Sequence, residues 1–198
     1  MTMPKTLLEL AGAPKLPLTW AASALVLIDH QQEYTIGKLP LVGIDAAVAE
    51  LKILLAAARR AGAPVVHVRH QGRAGGAFDL DAPGGQYIPG LEPAAGEAAI
   101  NKGLPNSFAN TDLKDVLTGL GRKEIIVGGF ATHMCISASV RSAVDNGFRV
   151  GLIANACATR DLPDPLGGVQ SAAAIHRATL AALNDRFATV AADSSSIQ

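Results

Sequence analysis

The chain has 198 residues, 49% of them hydrophobic and 17% charged, with 17 basic residues against 17 acidic ones. That size and apolar content suit one globular domain, 1–198, with a packed core, and exclude a disordered chain or a small disulfide scaffold. Neutral charge without a Lys/Arg run excludes nucleic acid as a partner; two cysteines, Cys135 and Cys157, are too few for a four-thiolate zinc site or a disulfide framework and point to a reducing cytoplasm.

Residues 1–22 read as an arm whose apolar patch is broken by Pro14 and Pro17, so neither a signal peptide nor a membrane span is expected. ALVLID at 24–29 is apolar on both faces, as a strand covered on both sides must be. Ile44, Ala47, Val48, Leu51, Leu54, Leu55 and Ala58 then form one helical stripe, with Asp45 in the first turn, Arg59 and Arg60 in the last, and Gly62 and Pro64 as the stop. PVVHVRH at 64–70 is a second strand. The Gly-rich stretch 71–96 has no period and is too long for an idle turn, which predicts a site or oligomer-contact role. A weak strand at 97–102 leads to a helix near 110–119, capped by Asn110 or Thr111 and ended by Gly121. EIIVGG at 124–129 is a buried strand, 135–146 a helix ended by Gly147, and RVGLIAN at 149–155 a fifth strand. An Ala-rich helix over 168–184 and a sixth strand at 187–192 precede a polar tail at 193–198. This alternation predicts a Rossmann-like three-layer α/β/α sandwich around a six-stranded parallel sheet.

In such sheets ligands bind beyond the carboxyl ends of the strands. Asp29, Lys102 and Cys135 all fall at that edge. A thiol at a helix start feels the positive end of the dipole and unpaired N–H groups, which favours its thiolate and can also hold an oxyanion. An Asp at a strand end also serves as a cap, a Cys as a small core residue and a Lys as a surface residue, so convergence is what points to chemistry. GGFATH at 128–133 lacks the G-x-G-x-x-G spacing and the Lys-Ser/Thr pair of a phosphate loop.

Three blocks resemble the isochorismatase-like cysteine hydrolases: ALVLIDHQQEY at 24–34, NKGLPNSFANTDL at 101–113 and GGFATHMCISASVRSAVDNGFRVGLIANACATRD at 128–161. The likeness runs in order from about 23 to 192. The resemblance implies that Cys135 is the nucleophile, Asp29 its base and Lys102 the orienting cation. It further implies a cis peptide between Phe130 and Ala131 that turns the Ala131 and Cys135 amides into an oxyanion hole. Gln31, Tyr34, His70, Phe108, Thr132 and His133 are then the candidate substrate contacts.

The departures are informative. The metal-binding Asp-x-His motif of the nicotinamidase branch is absent, and His67 and His70, three apart in a strand, face opposite ways, so no metal and no cofactor are expected. Of the two, His70 is placed to reach the pocket and His67 to pack. True isochorismatases lack the cysteine, so Cys135 points to an amide or other C–N bond of a small molecule, cleaved through a thioester. The alternatives are isochorismatase-type hydrolysis on the same fold, or a non-catalytic binding or scaffold member. Asn155 stands where many relatives carry Asp, and Cys157 reads as a packed residue. The resemblance also implies a homo-oligomer, a dimer or larger.

Overall fold

The computed structural model describes residues 3–14 and 17–198. Its elements are α1 (Leu7–Leu10), β1 (Ser23–Ile28), α2 (Ile44–Arg60), β2 (Val65–His70), β3 (Ala98–Lys102), α3 (Leu113–Gly119), β4 (Glu124–Phe130), α4 (Ser137–Asp145), β5 (Arg149–Ala158), β6 (Leu162–Pro163), β7 (Val169–Gln170), α5 (Ala172–Arg186) and β8 (Thr189–Ala191). Six strands form one parallel sheet in the order β3-β2-β1-β4-β5-β8. This is the doubly wound α/β architecture expected from the sequence.

The period of two along β1 explains why all of its residues are buried. Leu25 and Leu27 pack with Leu51, Leu54 and Leu55 of α2, whereas Ala24, Val26 and Ile28 pack with Leu113 and Leu117 of α3, Val140 of α4 and Leu183 of α5. Each face therefore carries its own apolar core, and the sheet lies dry between them. Gly129 permits the close approach of β4 to β1. Its φ is +129°, and a Cβ there would lie 2.0 Å from the Ile28 carbonyl oxygen.

Several boundaries differ from the sequence reading for local reasons. Asn110 has a φ of 57° and caps nothing; α3 starts at Leu113, with the Thr111 hydroxyl donating back to the Ser107 carbonyl. β5 runs three residues further than expected, its register shifting between Val127 and Gly129 of β4 in a bulge at which Asn155 is exposed. The last helix begins at Ala172, not near 168, because 162–170 form the small β6–β7 hairpin that turns through Gly167 and Gly168, and Ser171 caps the helix. Among the described residues no helix is long and apolar enough to cross a membrane.

Candidate active site

The strand order reverses between β1 and β4, so their carboxyl ends open a crevice. Asp29 ends β1 with a φ of 52°. In an uninterrupted strand its side chain would share the α2 face with Leu25 and Leu27; the left-handed residue breaks that alternation, and the carboxylate reaches instead to the far face. There Asp29 Oδ2 accepts from Lys102 Nζ at 2.8 Å, and both side chains are fully buried. Lys102 also points at Cys135 Sγ, 3.3 Å away, at His70 Nδ1, 3.2 Å away, and at the Leu104 carbonyl, 3.1 Å away. One cation thus gathers residues from the ends of β1, β2 and β3 and from the turn after β4.

The second carboxylate oxygen, Asp29 Oδ1, is buried and has no hydrogen-bond partner. Asp29 interacts directly with the Cys135 thiol, so its carboxylate is the base nearest to hand. Burial raises the Asp29 pKa, against the pull of Lys102 and the thiol. Burial and the Asp29 charge push the Cys135 thiol well up, although Lys102 opposes them. The ready ionisation expected of a helix-start thiol is therefore corrected: Cys135 is only 5% exposed and faces a carboxylate. It also lies within a π turn, Thr132–Ile136, that precedes α4, not at the first residue of an α-helix. The Phe130–Ala131 peptide is cis. Moving the thiol proton to Asp29 leaves the net charge of the cluster unchanged, and that is the ionisation a dry site tolerates.

The ligand atoms of Asp29, His70 and Cys135 lie within 4.8 Å of one another, a spacing that could hold a metal ion. The Lys102 ammonium is within hydrogen-bond reach of all three, so this donor set already surrounds a cation.

The isochorismatase domain model matches residues 23–194. The chain belongs to the isochorismatase family. It is 45% identical to the crystal structure of an isochorismatase from Pseudomonas putida, with a TM-score of 0.94 over 99% of this chain and 100% of that one. It is 34% identical over 92% of its length to a secreted isochorismatase effector of Verticillium dahliae, covering 94% of that protein. A maleamate amidohydrolase of Pseudomonas putida is 32% identical over 72% of this chain and 74% of its own length. The protein is an isochorismatase-family hydrolase.

Around the cluster, this hydrolase uses the remaining expected residues in different ways. Tyr34 is buried edge-on against Phe78 and Phe130, at 5.1 and 5.7 Å between ring centroids, and Phe78 meets His70 at 5.2 Å. Gln31 is spent on the backbone: its amide donates to the His70 and Gly85 carbonyls, both at 2.9 Å, and accepts from His70 N at 2.7 Å. It pins the 71–96 segment to the ends of β1 and β2. The Thr132 hydroxyl donates to the Ala158 carbonyl and meets His176 Nδ1 at 2.9 Å, while His133 Nδ1 meets the Thr159 hydroxyl. Phe108 is partly buried and meets Phe148, just ahead of β5, at 5.9 Å between ring centroids. Cys157 is buried, with its thiol pushed up to about 12 by burial.

Sequence reasoning missed His176 and Thr159, which steady the nucleophile turn, and Ser139, whose hydroxyl accepts from Ser107 N at 2.9 Å and ties the Lys102 segment to α4. These partners lie 26 to 44 residues apart, and no local pattern marks them. A groove of about 600 Å³ between the N-terminal arm, Phe148, Phe187 and Val190 lies at the amino ends of the strands and holds none of the cluster.

Proposed function

We propose that the protein cleaves an amide or related C–N bond of a small molecule by two-step acyl transfer. Asp29 takes the Cys135 proton and Sγ adds to the amide carbonyl carbon. The oxyanion rests on the Ala131 and Cys135 amides, and Lys102 holds the sulfur and carboxylate in place. Asp29 returns the proton to the nitrogen, the C–N bond breaks and the amine leaves a thioester on Cys135. Asp29 then draws a proton from water, the hydroxide oxygen adds to the thioester, and the carboxylic acid departs as Sγ recovers its proton. The observation that carries this reading is a carboxylate in direct contact with the thiol, with Asp29 Oδ2 and Cys135 Sγ both on Lys102 Nζ. The similarity to a maleamate amidohydrolase supports the choice of bond and makes maleamate the first substrate to test.

Cys135→Ala should lower kcat/KM for any hydrolysed amide roughly 10³-fold or more, and a thioester should be trapped on Cys135 by acid quench and mass spectrometry. Full activity in that variant would contradict the reading. The cytoplasm is the compartment we propose, supported by two free cysteines. Assembly with further copies of the chain is supported by exposed Leu166 and Val169 on the hairpin and Ile36 and Val42 after β1. Sedimentation would test it.

A further inference from the structure

We propose that His70 is a positioning residue that competes with Cys135 for the Lys102 ammonium and thereby keeps the sulfur protonated in the resting site. The inference rests on the cysteine-nucleophile reading above.

An ammonium has three N–H donors and accepts nothing. Four acceptor atoms lie within reach of Lys102 Nζ: Asp29 Oδ2 at 2.8 Å, Leu104 O at 3.1 Å, His70 Nδ1 at 3.2 Å and Cys135 Sγ at 3.3 Å. Three protons cannot serve four acceptors equally, and a neutral thiol is the weakest of the set. Because lysine can only donate, His70 Nδ1 carries no proton, which fixes the ring as the neutral Nε2–H tautomer. Its place is fixed too. The backbone N–H of His70 donates to Gln31 Oε1 at 2.7 Å, and its ring stands against Phe78. Lys102 and Asp29 are the charged groups facing it; burial, and after it the Lys102 charge, favours the neutral ring against the opposing pull of Asp29. Asp29 Oδ2 and Leu104 O would be left unpaired in a dry site if the ammonium turned away, whereas the half-exposed His70 can take a donor from solvent. His70 is thus the acceptor that can yield its bond when Sγ becomes a thiolate, a charged and stronger acceptor. Removing the competitor leaves three protons for three acceptors, one of them Sγ.

The test is the rate of iodoacetamide modification of Cys135, followed by peptide mass spectrometry from pH 6 to 10 in wild type, His70→Phe and His70→Asn. Phenylalanine keeps a ring against Phe78 without an acceptor, while asparagine keeps an acceptor oxygen near the Nδ1 position. His70→Phe should raise the Cys135 rate at pH 7 about tenfold and move its midpoint about one pH unit lower, and His70→Asn should stay within about threefold of wild type. An unchanged or slower rate in His70→Phe, or equal acceleration in both variants, would overturn the proposal. If His70→Phe fails to fold by circular dichroism, His70→Ala takes its place with the same expectation. The readout needs no substrate, so loss of this effect is distinguishable from hydrolysis that survives Cys135→Ala, which would sink the nucleophile reading itself.

Discussion

On one face of β1, β2 and β3, Asp29, His70 and Lys102 meet Cys135; on the other face, His30, His67 and Glu97 meet Arg59. Both networks are polar and link the same three segments, the second running from buried His30 and His67 out to a partly exposed Glu97 and an exposed Arg59. In the second, His30 Nε2 meets His67 Nδ1 at 3.0 Å, His67 Nε2 meets Glu97 at 2.8 Å, and Arg59 closes on both Glu97 oxygens at 2.8 Å. The Glu97 carboxylate therefore dictates the tautomers: His67 donates from Nε2 and accepts at Nδ1 from His30. Its charge is matched by a fork-shaped cation at the half-exposed end. Burial holds both rings below the ordinary histidine range. The unpaired atom of this chain, His30 Nδ1, belongs to a neutral ring. In the first chain the cation lies wholly inside, has more acceptors than protons, and sits between a carboxylate and a thiol. A network whose carboxylate and cation are paired with each other fastens the end of the 71–96 segment to the strands; one whose cation has more acceptors than protons is equipped to move a proton.

The comparison breaks most severely at Lys102. Lys102→Met leaves Asp29 as an uncompensated buried carboxylate, which should cost about 3–5 kcal/mol in urea unfolding at pH 8 and lower kcat/KM roughly 10³-fold. Without its cation the folded Asp29 binds a proton more tightly than the unfolded chain does, so the penalty is present above its folded pKa and fades as the pH falls below it. A penalty independent of pH would show that packing, not charge, is lost.

The second chain should respond in the opposite sense. The Glu97 carboxyl is held down at about 2, mainly by the Arg59 side chain. A depressed carboxyl contributes stability that is complete above its ordinary value of 4.5 and lost as the pH falls toward about 2. The stability gap between wild type and Glu97→Gln, measured by urea unfolding, should therefore be modest at neutral pH and close across that window, with kcat changed less than about threefold. A larger fall in kcat would show that the two faces are coupled.

The parallel sheet was legible because double-sided apolar runs such as 24–29 and 124–129 have few other fates, and the edge carrying Asp29, Lys102 and Cys135 followed from strand direction. His67 and His70 diverge, as a period of two requires: His67 packs against His30 and Glu97, and His70 reaches Lys102. What a single sequence does not carry is direction beyond a strand end. Nothing local marks Asp29 as left-handed, or Gln31 as a side chain whose amide is held by backbone carbonyls. Nor does a helix-start position reveal desolvation, which outweighs the dipole argument at Cys135.

The central claim is that Cys135 is coupled to the Asp29 carboxylate, whereas Cys157, buried in the neighbouring strand without a base, is inert. The most direct test is iodoacetamide modification of the native protein from pH 5 to 9, with the two cysteines followed separately in wild type and Asp29→Asn. The account predicts that Cys135 reacts about tenfold or more faster than Cys157, and that its pH profile changes in the variant while that of Cys157 does not. Equal reactivity of the two thiols, or a Cys135 profile indifferent to Asp29, would contradict it.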